Sequence, residues 1–411
     1  MPAKNTDIQG KKMTAKKSMK VISVCLGTSL LMLQVAQAND ETGEACGGYA
    51  RAGFIETDVD NTSDESAYAI GGEFACKVEL NESINIQLGV STSIDPGVNT
   101  GNDSSLHGDF FDKHKDSYAM LGEASLNFNY DELQAHLGRQ IFDSPHMDSD
   151  DLRMVPNRFE AYQLNYGVNE NIDLGFAYVT KMSGWENGID QSDFVDVGEA
   201  YGADNGDAYV AWAAYEQNGL ALQSWAYSLE DIANIFYAEA IYGADLNDNI
   251  AWEVGLQYDH GSETGSNKLG DIDADTWGAT ATITNQYFTI SAAYNRNSGD
   301  HGALASLGGG PFFTSMEDQT LDAVEGDDAR AAVIGIEGEV LEGLTIGFAV
   351  SEFRASSKND YHVKENNFYM NYEWNEAFLI ETMYADIDDK NSSDDSDQMR
   401  IILTYQFDGL F

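Results

Sequence analysis

Bulky apolar residues alternate with small or polar residues along most of the chain. Two clear series are Trp252, Val254, Leu256 and Tyr258, and then Leu344, Ile346, Phe348 and Val350. Because successive side chains of a strand point to opposite faces, this period of two predicts strands with one apolar face. Such strands occur in soluble sandwiches, where the apolar face forms the core, and in membrane barrels, where it contacts lipid.

The lengths of segments and connections separate these two interpretations. The alternating segments run about 10–13 residues, which suits a tilted membrane strand and exceeds the ~5–6 residues typical of soluble strands. Short connections such as 130–132 alternate with mostly longer ones such as 143–158. Outer-membrane barrels have short periplasmic turns and long extracellular loops. We therefore predict an all-β, transmembrane antiparallel β-barrel of about 18 strands, with 16 as the alternative count.

The first 38 residues differ in character from the rest. An apolar segment, 21–33, lies before Ala36-Gln37-Ala38 and follows five lysines, at Lys11, Lys12, Lys16, Lys17 and Lys20. That order is typical of a secretory signal peptide, and the apolar segment is shorter than the ~20 residues of a spanning helix. We expect a signal peptide at 1–38 and a barrel at 39–411.

Composition and charge exclude several classes of protein. The formal net charge is −47, so nucleic acid is not an expected partner, because binding it requires clustered Lys and Arg. A hydrophobic content of 43% is too high for a disordered acidic chain. The mean hydropathy of −0.36 argues against a bundle of transmembrane helices.

The C-terminal segment supports export to the outer membrane. Met399, Ile401, Leu403 and Tyr405 share one parity, and the chain ends on Phe411. A terminal aromatic residue on an alternating strand resembles the signal that outer-membrane proteins present to their assembly machinery. We therefore predict the outer membrane of a Gram-negative bacterium, with membrane lipid and lipopolysaccharide as surroundings.

Two cysteines remain after the signal peptide. The first hairpin is predicted to turn near residues 61–62, which places Cys46 nearly opposite Cys76 at the periplasmic end. Because the periplasm is oxidising, a disulfide is expected, with two free thiols as the alternative.

Catalytic and metal-binding patterns find little support. The seven histidines are scattered, without an H-E-x-x-H motif, and G-x-S-x-G is absent. Asp271, Asp273 and Asp275 begin like a calcium loop, but Thr276 and Thr282 stand where its glycine and glutamate belong. We expect no enzyme activity and no cofactor, apart from loosely bound divalent cations.

Two motifs resemble a known porin family. Leu137-Gly138-Arg139-Gln140 is followed by Pro145 and by D-x-R-x-x-P-x-x-F from Asp151. This stretch resembles the strand 5 to loop 3 segment of OprD-type porins, and of the similar major porins of epsilon-proteobacteria. Gly308 to Met316, G-G-G-P-F-F-T-S-M, is a second resemblance. The resemblance implies an 18-stranded porin for passive diffusion of small hydrophilic solutes and ions. It also implies that inward-folded loops near 143–158 and 297–328 narrow the pore, and that the protein forms a homotrimer.

The constriction and the lumen wall can be assigned from the loops and from strand parity. The expected constriction residues are Asp143, Asp148, Asp150, Asp151, Arg153 and Arg158, together with Phe312, Phe313, Thr314, Glu317 and Asp318. The expected lumen-facing carboxylates are Glu123, Asp173, Glu239, Glu253, Glu337, Glu373 and Glu381, and the expected lumen bases are Lys181 and Arg400. Arg139 faces lipid by strict parity and the lumen if a bulge intervenes.

This charge distribution predicts the selectivity. Rings of carboxylates attract cations into a pore, so we expect a cation-preferring channel. The alternative is that the acidic residues only keep a wide channel hydrated and do not select between ions. The small number of lumen arginines puts the uptake of carboxylate-bearing substrates in doubt. A structural or adhesive barrel whose acidic loops bind cations or partners is the rival function, ahead of a barrel enzyme.

Overall fold

The computed structural model describes residues 44–99, 105–324, 326–356, 360–392 and 395–408. The predicted signal peptide and the terminal Phe411 lie outside the described residues.

Eighteen long antiparallel strands form the molecule. They are β1 (Glu44–Val59), β2 (Glu65–Asn81), β3 (Ile84–Ile94), β4 (Tyr118–Tyr130), β5 (Leu133–Gln140), β6 (Arg158–Asn169), β7 (Ile172–Ser183), β8 (Ala208–Gln217), β9 (Leu220–Leu229), β10 (Ala233–Asn247), β11 (Ile250–Glu263), β12 (Asp273–Asn285), β13 (Thr289–Asn297), β14 (Arg330–Leu341), β15 (Leu344–Ala355), β16 (Tyr361–Asn375), β17 (Phe378–Asp389) and β18 (Ser396–Asp408).

The sheet closes on itself. Each strand pairs with its neighbours in sequence, and β18 returns to β1, with Ile401 opposite Phe54. A two-residue strand, Val195–Asp196, pairs with Lys181 and Met182 of β7, beyond the residues of β7 that pair with β8. The prediction of a closed barrel is confirmed, with 18 strands rather than 16.

The connections alternate in length as predicted. The turns at one end span two or three residues, for example 131–132 and 342–343, whereas the loops at the other end reach 298–329. Short helical segments lie in the loops: α1 (Val197–Ala200) and the 3₁₀ turns Gly108–Phe110, Trp185–Asn187 and Leu321–Ala323. Within the described ranges, no helix has both the length and the apolarity needed to cross a membrane.

The apolar and polar faces are inverted relative to a soluble protein. Leu256, Ile334 and Phe348 are among the many large apolar residues exposed on the outer wall. The buried apolar clusters lie instead inside the barrel, where loops pack on the wall, as Phe110 does against Ile55. This arrangement leaves polar rows facing the lumen, where the loops find their anchors.

A disulfide joins the first two strands. Cys46 is the register partner of Cys76 in the β1–β2 pair, and the two Sγ atoms are 2.11 Å apart. The bond lies near the turn end of the hairpin pair β1–β2–β3, on the periplasmic side.

We predict that the disulfide forms in the exported protein. Mature protein should be two hydrogens lighter than its reduced form and should resist alkylation until it is reduced. Reduction should lower the thermal midpoint of unfolding, since closing a loop of 30 residues stabilises a fold by about 3 kcal/mol. Rapid alkylation of both thiols in folded, unreduced protein would contradict the prediction.

Candidate functional site

Two outer loops fold into the barrel and contact each other. Loop 3 is residues 141–157 and loop 7 is residues 298–329; together we call them the inner loop pair. Met147 and Leu307 form a parallel bridge. The N–H of Leu307 donates to the carbonyl of His146 at 2.9 Å, and the N–H of Asp148 donates to the carbonyl of Leu307 at 2.9 Å. The two loops therefore form one joined element across the lumen.

Loop 3 is anchored on opposite walls of the barrel. On β1, Arg51 holds Asp151 with two hydrogen bonds, of 2.6 and 2.8 Å, and also donates to the carbonyl of Arg153 at 2.7 Å. On β11, Asp259 lies 2.7 Å from Nε2 of His146, and both side chains are buried. Because β1 and β11 are about half a circumference apart, loop 3 spans the lumen.

Loop 7 is held through its backbone. Gln257 on β11 donates to the carbonyl of Pro311 at 2.9 Å and accepts from the N–H of Phe313 at 2.8 Å. Glu365 on β16 accepts from the N–H groups of Asp318 and Gln319, at 3.1 and 2.8 Å. Buried backbone N–H groups need such acceptors, so these two side chains set the path of the loop.

Glu317 links both loops to the wall. Its side chain is 1% exposed and pairs with Arg400 on β18, whose Nη2 lies 3.2 Å from the carboxylate. Nη1 of Arg153, in loop 3, lies 3.7 Å from the same carboxylate. A buried carboxylate between two guanidinium groups is costly to break, which holds the inner loop pair in place.

Each lumen-side arginine has a carboxylate partner. Arg51 pairs with Asp151, Arg400 with Glu317 and Arg153 with Asp109 at 2.9 Å. Arg158 lies between Glu73 and Glu123. Sequence reasoning missed Arg51, Glu73 and Asp109. Arg51 could have been found from its parity, because it alternates with the outward-facing Ala50 and Ala52.

The predicted constriction residues divide into exposed and buried groups. Asp151 and Asp318 are exposed to solvent, and Asp143 and Asp148 are partly exposed. The buried ones are Asp150, Arg153, Arg158, Phe312, Phe313 and Thr314. Of these, Arg158 lies on β6 and pairs with carboxylates of the wall, and the others lie in the inner loop pair.

The predicted lumen carboxylates lie in the inward rows of their strands. Glu239 accepts from Gln223 and from Tyr237, both at 2.8 Å, and Glu337 accepts from the Tyr369 hydroxyl. The others in these rows are Glu123, Asp173, Glu253, Glu373 and Glu381, together with the base Arg400. Asp173 and Glu373 are exposed close to the periplasmic turns.

The register places Lys181 on the outer wall, contrary to its predicted lumen position. After Lys181 pairs with Glu160, the register shifts, and Ala161 pairs with Val179. Thr180 is thus an extra residue that reverses the parity.

Arg139 lies in the same outward row. It is opposite Glu160 in the β5–β6 pair, with Nε 3.4 Å from the Glu160 carboxylate. Its guanidinium also lies 4.2 Å from the ring of Phe194. The orientation that strict parity gives for Arg139 is the one observed.

Comparison with known proteins identifies the family. A family model described as outer membrane porin, OprD family, matches residues 80–331. The chain belongs to the OprD family. No curated protein matches it.

Solved structures of OprD-type porins share the fold. OccK9 (OpdG) of Pseudomonas aeruginosa has a TM-score of 0.80 at 17% identity, over 89% of this chain and 98% of that one. The BenF-like porin of Pseudomonas fluorescens Pf-5 has a TM-score of 0.78 at 15% identity, over 89% and 99%. P. aeruginosa OpdK, solved with vanillate, has a TM-score of 0.76 at 16% identity, over 89% and 99%.

Family and fold together establish the general function. This OprD-family protein is an outer-membrane porin of a Gram-negative bacterium and forms a channel for small solutes. The fold is that of a channel rather than of an enzyme.

Burial in loop 3 of this OprD-family porin suppresses part of its negative charge. Desolvation, with help from Asp150 and Asp143, raises the pKa of Asp148 to about 8. Desolvation also raises the pKa of Asp150 to about 6. Burial, followed by the charges of Asp150 and Asp148, holds the pKa of Glu186 in the adjoining loop well above its usual range. At neutral pH, protons therefore neutralise some of these carboxylates.

We predict that the inner loop pair loosens as the pH rises from 6 to 9. When the loop opens, Asp148 becomes exposed and its pKa falls to the ordinary value of ~3.9. In the packed loop its pKa is about 8. Between about pH 4 and pH 8 the packed loop therefore binds more protons than the opened loop. Its stability therefore falls with rising pH across that window. Single-channel recordings should show more frequent current fluctuations at pH 9 than at pH 6.

The matched control is Asp148→Asn, which has the same shape and stays neutral. It should keep the fluctuations low at pH 9. An unchanged pH dependence in Asp148→Asn would show that Asp148 is not the responsible group.

We also predict that Glu365→Ala mobilises loop 7. The change removes the acceptor for two backbone N–H groups, and each buried unpaired donor costs roughly 1–3 kcal/mol. Current noise should increase and backbone amides of loop 7 should exchange faster. The control is Glu373→Ala, on the same strand but exposed at the periplasmic end, which should behave as wild type. Similar noise in both variants would refute the anchoring role.

Proposed function

We propose that this porin passes small hydrophilic solutes and ions passively and prefers cations. The observation that carries the proposal is the excess of carboxylates over bases along the lumen. Every lumen-side arginine of the described chain is matched by a carboxylate, and Lys77, near the periplasmic turn, pairs with Glu79. Further inward carboxylates remain beyond these pairs.

The unmatched carboxylates are distributed along the path of a solute. Glu239 on β10 accepts hydrogen bonds from Gln223 and Tyr237, and Glu337 on β14 accepts one from the Tyr369 hydroxyl; all three donors are neutral. Asp173 and Glu373 are exposed near the periplasmic mouth. The low dielectric of the barrel wall focuses the field of such groups into the aqueous lumen. Permeating cations therefore meet a favourable potential, as at the carboxylate rings of other cation channels.

The same pairing argues against capture of anions. OpdK has been solved with vanillate, which bears a carboxylate. In this chain such a group has to compete with Asp151, Asp109 and Glu317, which already occupy their arginines at short distances. We therefore favour cationic or neutral solutes for this member of the family.

We propose that the protein carries no cofactor and no catalytic activity, that it binds divalent cations only loosely, and that it assembles as a homotrimer among lipopolysaccharide molecules. In the part of the chain that the structure describes, no group of three or more His, Cys, Asp or Glu side chains is arranged to hold a metal ion.

The selectivity is predicted to depend on the Arg51–Asp151 pair. Asp151 has a 44% exposed side chain, so Asp151→Asn should lower the K⁺ over Cl⁻ preference and Arg51→Gln should raise it. Each change in the K⁺/Cl⁻ ratio should be up to roughly eightfold, since one charge ~7 Å from an ion in a water-like dielectric contributes about 0.6 kcal/mol, with opposite signs for K⁺ and Cl⁻. Reversal potentials across a KCl gradient in planar bilayers measure the preference.

Two controls sharpen this test. Asp148→Asn should change the K⁺ over Cl⁻ preference little at pH 7, because the Asp148 carboxyl has a pKa of about 8 and is mostly neutral at that pH. Asp204 is exposed in an outer loop, so Asp204→Asn should change the preference little at high salt, where charges are screened. Anion preference in the wild type, or no effect of Asp151→Asn, would overturn the proposal. A barrel without steady conductance would favour the structural role instead.

A further inference from the structure

A cavity of about 430 Å³ opens on the outer wall of the barrel, not on the channel. It lies on strands β7 to β11, and we call it the lipid-side groove. Its deeper part is formed by Phe176, Ala211, Ala226 and Phe236. Both phenylalanines are 43% exposed, as are many other apolar residues on this outer wall.

The strand register explains why a groove exists here. Ala211 on β8 is opposite Ala226 on β9, while Phe176 flanks Ala211 and Phe236 flanks Ala226. In this row, two alanines on neighbouring strands thus lie between two phenylalanines. With strands ~4.8 Å apart, the flanking strands are about 14 Å apart. A hydrocarbon chain fits between them, whereas the broad convex wall of a second barrel does not enter.

The groove changes from polar to apolar along its length. The register row next to the alanine floor, toward the extracellular ends of the strands, contains Tyr209, Ser228 and Asn234, and Ser262 continues it on β11. The lower row is apolar from Phe176 to Phe236 and ends at His260 on β11, which pairs with Asp275. An amphipathic molecule therefore finds polar contacts at the membrane surface and mainly apolar contacts below. That polarity matches a lipid of the outer leaflet, with its head group at the surface and its chains pointing inward.

We propose that the lipid-side groove binds one acyl chain of lipopolysaccharide. The groove is continuous with the lipid-facing wall and opens at the extracellular end, where the outer leaflet lies. The chain packs on the alanine floor between the two phenylalanines, and the sugar head group meets the polar row above. The site is independent of the channel, so it can be tested without reference to selectivity.

Native mass spectrometry of the delipidated full-length mature protein, titrated with purified lipid A, tests this site. Wild-type protein should bind one lipid A molecule more tightly than any further lipid A molecules. Ala211→Phe and Ala226→Phe, which fill the floor from the lipid side, should weaken retention roughly tenfold, because displacing about two buried methylenes accounts for that factor. Ala52→Phe is the matched control, since Ala52 also faces lipid but lies between the large residues Ile70 and Leu403.

Each outcome decides the proposal. Equal retention by wild type and by both groove variants would overturn it. Equal retention of phosphatidylethanolamine and lipid A by wild type would overturn the assignment to lipopolysaccharide. A change of oligomeric state in Ala226→Phe, with lipid retention unchanged, would mean that the groove is a contact between copies of the chain. Loss of retention in the groove variants alone supports the proposal, and those variants should keep the wild-type conductance.

Discussion

The absence of water inside a bilayer is the constraint on which this structure depends. Every backbone N–H and C=O at that depth has to pair within the protein, and a sheet achieves this only by closing, here through β18 on β1. Closure then determines which face of each strand meets lipid and which meets the lumen. The apolar outer rows and the polar inner rows follow from this single requirement.

A polar interior changes how loops are held inside it. Apolar residues of the loops, such as Met147 and Phe312, pack on the wall, and polar side chains that extend from the wall bind the backbone and the charged groups of the loops. Arg51, Gln257 and Glu365 each bind two or more groups of the inner loop pair. Among the anchors, Arg51 and Arg400 are paired with carboxylates of the loops, which leaves the lumen wall with further carboxylates such as Glu239 and Glu337.

Burial changes the interpretation of two residues that the sequence assigned to the constriction. Asp150 and Arg153 lie in the inner loop pair and both are buried; Arg153 lies close to the carboxylates of Asp109 and Glu317. Lys181 was misplaced because one extra residue, Thr180, reverses strand parity, and a bulge of one residue leaves almost no trace in an alternating pattern. Arg51 was missed although its parity places it in the inward row, because its outward neighbours Ala50 and Ala52 are small and weaken the apolar alternation of β1.

The sequence by itself determined the barrel, a strand count of about 18, the alternation of turns and loops, and the pairing position of Cys46 with Cys76. These features follow from a period of two and from turn positions, which are local properties of the chain. Only the tertiary structure decided which charges meet. Arg51 and Asp151 are 100 residues apart in sequence, and Arg400 and Glu317 are 83 apart. Such contacts depend on how two loops cross a closed cylinder, and the pattern along a single strand carries no information about that crossing.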